Sequence, residues 1–165
     1  APGQGPSTGA TRRGTRAPQH AEDTVRRFRI ATDRIGPRRW CWVAIHPNLG
    51  HFRAAANRTA PHHGNAYWDG CLGCFQPVAY RERHVDGQWI GRWPSNGYAG
   101  VLRLIEGHVT AEIVAHELVH AAAAIYRMNV RREIRLGEDC GEREEQFAYV
   151  YGELYAALVA HDDFP

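Results

Sequence analysis

The sequence predicts an α+β fold, a small sheet followed by two long helices. Two observations carry this. Short runs of aromatic and β-branched residues fill the region from about residue 24 to residue 106, whereas the last third holds two segments with helical apolar spacing. No internal repeat interrupts that order.

The chain has 165 residues, a length that matches one domain and can bury a core without staples. Residues 1–22 stand apart. They are rich in Gly, Pro, Thr and Arg, carry Arg12, Arg13 and Arg16, and contain no acid before Glu22. Such a segment cannot bury enough surface to offset its ordering entropy, so residues 1–22 read as a disordered basic tail and residues 23–165 as the folded domain.

Within that domain, Thr24–Ile30 places Val25, Phe28 and Ile30 in a weakly strand-like pattern. Trp40–Ile45 (WCWVAI) reads as a buried strand. Pro47-Asn48 ends it, and Asn48 can cap a short helix over Leu49–Arg58. Pro61–Gly70 reads as a loop. Phe75–His84 reads as a strand in which Pro77, lacking an N–H, marks an edge or a bulge. Asp86–Asn96 reads as another loop, and Tyr98–Glu106 (YAGVLRLIE) as the most regular strand. A helix follows over Thr110–Arg127, with Thr110 as N-cap and Glu112 in the first turn, where the helix dipole favours an acid. The second runs over Cys140–Ala160, with Asp139 and Glu142 spaced as a capping box.

Composition excludes some functions. Nothing approaches the ~20 consecutive apolar residues of a membrane span, so no membrane partner is expected. A formal net charge of +2 argues neither for nor against nucleic acid, although every one of the 20 basic residues is arginine. Four cysteines, Cys41, Cys71, Cys74 and Cys140, are too few for a disulfide framework, which points to a reduced, cytoplasmic protein with structural thiols. The Cys71-Leu-Gly-Cys74 spacing has no second CxxC to complete a zinc site; Cys41 and Cys140 are the remaining thiols that such a site would need.

The segment that carries chemistry is His116-Glu117-Leu118-Val119-His120, an HExxH pattern inside the first long helix. Residues four apart share one helix face, so both imidazoles can reach a single Zn²⁺ at about 2.0–2.1 Å. Glu117 lies beside them as a general base for a metal-activated water. A catalytic zinc needs a third protein ligand and an open position. The candidates downstream are Glu133, Glu138, Asp139, Glu142, Glu144, Glu145, Glu153, His161 and Asp162. The apolar stripe Phe147, Tyr151, Leu154, Leu158 is centred nearer Glu144 than Glu145.

The HExxH helix followed by a glutamate-bearing helix resembles the core of the gluzincin metallopeptidases, within the zincins. The run Glu145-Gln146-Phe147-Ala148-Tyr149, with Gly152 seven residues after Glu145, is similar to short metallopeptidases of phages and mobile elements and, more loosely, to the ImmA/IrrE-like group. The resemblance covers about residues 98–159. It implies a zincin-like α+β fold, His116, His120 and Glu145 as zinc ligands, and small residues at 148 and 152 where the two helices approach. It also implies a protein or peptide substrate that adds as a strand to the sheet edge above the metal helix, at the Tyr98–Glu106 strand or the one beside it. Where well-known gluzincins carry an acid four residues after the ligand, this chain has Tyr149. A hydrolase also needs a donor for its oxyanion, for which Tyr98 or one of the scattered histidines is available. Outside this class, the expectation is a non-catalytic module of phage or mobile-element origin that uses its basic tail on nucleic acid.

Overall fold

The computed structural model describes residues 24–63, 65–78, 81–85, 88–130 and 142–165. In chain order these form β1 (Arg26–Thr32), β2 (Arg39–His46), α1 (Leu49–Thr59), β3 (Gly73–Pro77), β4 (Arg81–Val85), β5 (Gln88–Arg92), β6 (Tyr98–Ile105), α2 (Ala111–Val130) and α3 (Glu142–Val159). The fold is α+β. The basic N-terminal segment and the Asp139 half of the second helix's capping box lie outside the described residues.

The main sheet has the order β1-β2-β6-β3. β1 runs antiparallel to β2, β2 parallel to β6, and β6 antiparallel to β3. β6 therefore sits inside the sheet, and β3 is the edge beside it. From Ala99 to Ile105 every β6 residue is buried, so both its faces must be covered. One face packs against α2 and α3, where Phe28, Ile30, Val43, Leu102 and Leu104 meet Val114, Leu118, Ile125, Val150 and Leu154. On the other, Ile105 and Cys74 meet Phe52 and Ala56 of α1, with Trp68 beside them.

Helix starts follow the capping residues read from sequence. Asn48 Oδ1 accepts from the His51 amide at 3.0 Å, and Thr110 Oγ1 accepts from the Ile113 amide at 3.3 Å. Two segments differ from expectation. The single strand anticipated over residues 75–84 is two strands in two sheets: β3 ends at Pro77, Val78 N–H makes a last bond to the Ala99 carbonyl at 2.9 Å, and β4 pairs with β5 instead. The loop anticipated over residues 86–96 contains β5, which pairs with β4 from Val85↔Gln88 outward. The Pro61–Gly70 loop holds two short 3₁₀ turns, Pro61–His63 and Asn65–Trp68.

β6 also carries a charge into the interior. Arg103 is buried with neutral partners: its Nε donates to Gln76 Oε1 at 2.6 Å, Nη2 to Thr59 Oγ1 at 3.0 Å, and Nη1 lies 3.4 Å from His46 Nε2. An arginine only donates, so His46 Nε2 is the acceptor and the neutral ring carries its proton on Nδ1. Burial holds His46 down at about 4, with the charges of Arg103, Arg27, His51 and Arg58 adding to the effect.

Two outcomes follow. Gly100 has φ +149°, and a Cβ there would lie 2.4 Å from the Gln76 carbonyl oxygen. Gly100→Ala is expected to lower unfolding free energy by at least about 2 kcal/mol in urea titration. The unfolded chain protonates His46 below about 6.5, whereas the folded chain resists until about 4. The neutral ring's contribution is thus complete above pH 6.5 and is lost as pH falls towards 4. Urea midpoints measured across that window should fall more steeply for the native sequence than for His46→Asn.

Candidate metal centre and general base

α2 is amphipathic around a stripe of Val114, Leu118, Ala121, Ala122 and Ile125, all buried against the sheet. Positions 116 and 120 fall off that stripe, so both histidines are exposed on one helix face. Their rings are T-shaped, with centroids 5.0 Å apart, and the two Nε2 atoms approach to 3.3 Å. Two nitrogens bound at 2.0–2.1 Å to one tetrahedral ion would be about 3.3–3.4 Å apart, so the pair matches two corners of such a site. Two ring nitrogens that face each other at this distance need a proton or a cation between their lone pairs.

Glu117 points the other way. It is 8% exposed, and its Oε2 accepts from the Phe75 amide at 2.7 Å. That amide belongs to the outer edge of β3, so the carboxylate is fixed to the sheet margin by a charge-assisted bond. Gly73 makes the approach possible. A Cβ at 73 would lie 2.8 Å from Ile113 Cγ2 and 3.2 Å from Glu117 Cγ. Further along the same edge, the Cys71 thiol donates to the Gly73 carbonyl at 2.7 Å. Sequence reading did not anticipate the Phe75 bond, since a backbone amide leaves no mark in the residue pattern.

The third-ligand candidates divide. Glu153 Oε2 accepts from the Thr32 hydroxyl at 2.5 Å, and the His161 ring stacks on Phe28 at 3.9 Å; both are engaged away from the histidine pair. Glu142 accepts from the Gln146 amide group at 3.1 Å. Glu145 is exposed, as are Ala148 and Gly152, and a Cβ at 152 would meet nothing within 4 Å. The anticipated close helix approach along residues 145, 148 and 152 is therefore not made. α3 instead buries Val150, Leu154 and Leu158, with Phe147 and Tyr151 packed beside them. Glu144 lies in line with that stripe, and its Oε2 is buried with no hydrogen-bond partner. Glu133, Glu138 and Asp139 lie outside the described residues. Among the described residues, no group of three or more His, Cys, Asp or Glu side chains converges as a cation site. The structure thus brings together His116 and His120, sets Glu117 beside them in sequence but anchored to β3, and does not bring Glu145 to them.

The cysteines are thiols with other roles. Cys41 lies in the core under α2 and α3, whereas Cys74 lies in the core under α1, so the sheet separates them. Burial pushes both up to about 12, far from thiolate formation at neutral pH. Cys140 lies outside the described residues. Tyr98 packs on Trp40 with centroids 4.9 Å apart, and His46 is buried beside Arg103; neither is placed with the histidine pair. No described helix is long and apolar enough to cross a membrane.

Comparison with protein-family models, with curated proteins and with solved structures found no match.

The Phe75–Glu117 bond gives a direct measurement. Phe75 N–H faces away from β6, so its protection from hydrogen exchange rests on the Glu117 carboxylate. Glu117→Ala is expected to speed exchange at Phe75 about 10–100-fold, the equivalent of one strong hydrogen bond. The amides that β3 shares with β6 should be little changed.

Proposed function

We propose that the chain is a zinc-dependent peptidase of the zincin type, hydrolysing a peptide bond with Glu117 as general base. The observation that most supports this is the 3.3 Å separation of two exposed Nε2 atoms on one face of α2, next to a carboxylate that the sheet edge holds in place. His116 and His120 would hold the ion. A glutamate from the first turn of α3 would complete the protein ligands. Family resemblance points to Glu145, while the buried, unpartnered Oε2 of Glu144 supports its neighbour.

When bound, zinc lowers the pKa of a water to about 7 and polarises the carbonyl under attack. The protein's own residues supply the remainder. Phe75 N–H holds Oε2 of Glu117 at the sheet edge in the free protein, and a peptide pairing with that edge would take the amide and free the carboxylate to accept a proton from the attacking water. The three outermost groups of the α3 N-terminus, Glu142, Glu144 and Glu145, sit where the helix dipole favours negative charge. β3 is the free edge next to Glu117, and an extended peptide paired along it would lie beside the histidine face; this makes an extended protein or peptide segment the substrate class.

Metal analysis tests the reading. The native chain is expected to retain about one zinc per molecule, as a three-ligand catalytic site implies. His116→Ala should lose it. Glu117→Gln should keep it while cleavage of a peptide library falls at least about 100-fold. Glu144→Ala and Glu145→Ala, measured side by side, identify the third ligand by which of them sheds the metal. Equal zinc in the native chain and His116→Ala would defeat the proposal.

A further inference from the structure

On the face of the sheet opposite α2 and α3, α1 crosses β2 and β6 but leaves β1 partly open. A cavity of about 300 Å³ lies in the gap, at the lower end of the range for small-ligand sites. Its lining includes Arg27 of β1, His46 of β2, and His51 and Arg58 of α1, with Val25 and Ala54 as apolar wall. No carboxylate lines it among the described residues. Behind His46 sits Arg103, a buried guanidinium hydrogen-bonded to the neutral groups of Gln76, Thr59 and His46.

His46 is the informative residue. It is 1% exposed, lines the cavity, and its Nδ1 is buried with no hydrogen-bond partner. Because Arg103 can only donate to Nε2, Nδ1 carries the proton and is a donor without an acceptor. A buried donor left unmade is unfavourable, so this Nδ1–H suits a ligand that brings an acceptor. The amide at the start of α1 does not compete for it, since Asn48 Oδ1 already accepts from His51 N.

We propose that this cavity binds a phosphate group, with the Arg27 and Arg58 guanidiniums and the Nδ1–H of His46 as its donors. A dianion with several acceptor oxygens matches two guanidinium forks and a third neutral donor, whereas a monocarboxylate offers one charge and two oxygens. The positive field of Arg103 favours the more highly charged ligand. The site does not depend on the proposed metal chemistry, from which the sheet separates it.

Titration calorimetry of the whole chain with inorganic phosphate, and separately with acetate at the same ionic strength, tests this. Saturable phosphate binding is expected, at least tenfold tighter than acetate. Arg27→Ala and Arg58→Ala should each weaken it at least tenfold. Arg53→Ala, on the same helix but paired with Asp69 at 2.7 Å, should leave it unchanged, and so should His116→Ala. A further arm with a single-stranded oligonucleotide lacking a terminal phosphate separates the sources. Binding that depends on Arg27 and Arg58 and exceeds that of inorganic phosphate identifies a nucleic-acid backbone; binding of inorganic phosphate alone identifies a small phosphorylated molecule. Undiminished affinity in the Arg27→Ala, Arg58→Ala double variant, loss of binding in His116→Ala, or parity with acetate would overturn the proposal. So would a ¹⁵N spectrum placing the His46 proton on Nε2.

Discussion

β6 is buried on both faces, and the placement of every helix answers to that constraint. A strand with Leu102 and Leu104 on one side and Val101, Arg103 and Ile105 on the other cannot leave either side to water. α1 covers one face and the α2–α3 pair the other. α2 lies over β6 and the edge strand β3, which is why its outer flank carries exposed histidines while Glu117 meets the sheet margin. Gly73 sets the depth of that meeting, since any larger residue would collide with Ile113. The chemistry available at the edge of the sheet is thus a consequence of how its centre is packed.

Sequence patterns reached the parts of this arrangement that depend on local rules. The 3.6 period placed residues 116 and 120 on one face, and short polar side chains marked where α1 and α2 begin. β3 and β4 were harder, because an apolar, aromatic stretch that spans a proline looks continuous until the ladder is counted. The β4–β5 connection did carry a local mark: Asp86-Gly87, flanked by residues that pair Val85 with Gln88, is a hairpin dipeptide. Arg103 was visible too, as a single charge in an otherwise apolar strand, but a period-2 reading sends it outward. Only burial of both faces turns it inward. Ala148 and Gly152 mislead for the opposite reason. Small residues permit close approach without requiring it, and α3 packs through Phe147, Val150 and Leu154 instead.

The two faces of the sheet differ in electrical character. On the α2–α3 side, three acids of the first turn of α3 stand near the helix N-terminus. On the α1 side, Arg27, Arg58 and Arg103 surround a neutral imidazole, and the network Arg103–Gln76–Thr59–His46 ties β6, β3, α1 and β2 together through hydrogen bonds. Removing Gln76 or Thr59 from this network would leave buried guanidinium N–H groups without acceptors, which costs more than each bond contributes when intact. Those four elements are thus joined through one buried side chain, directly behind the arginine-lined cavity.

The amide of Phe75 has two claimants. It steadies Glu117 while the margin of β3 is vacant, yet it is also a hydrogen-bond donor that a visiting strand in the matching register would take for itself. Both cannot hold it at once. On the peptidase reading, arrival of a strand at the margin would work as an interlock: the guest's own backbone would release the carboxylate from its tether, and the side chain would be free to turn only while the guest was in place.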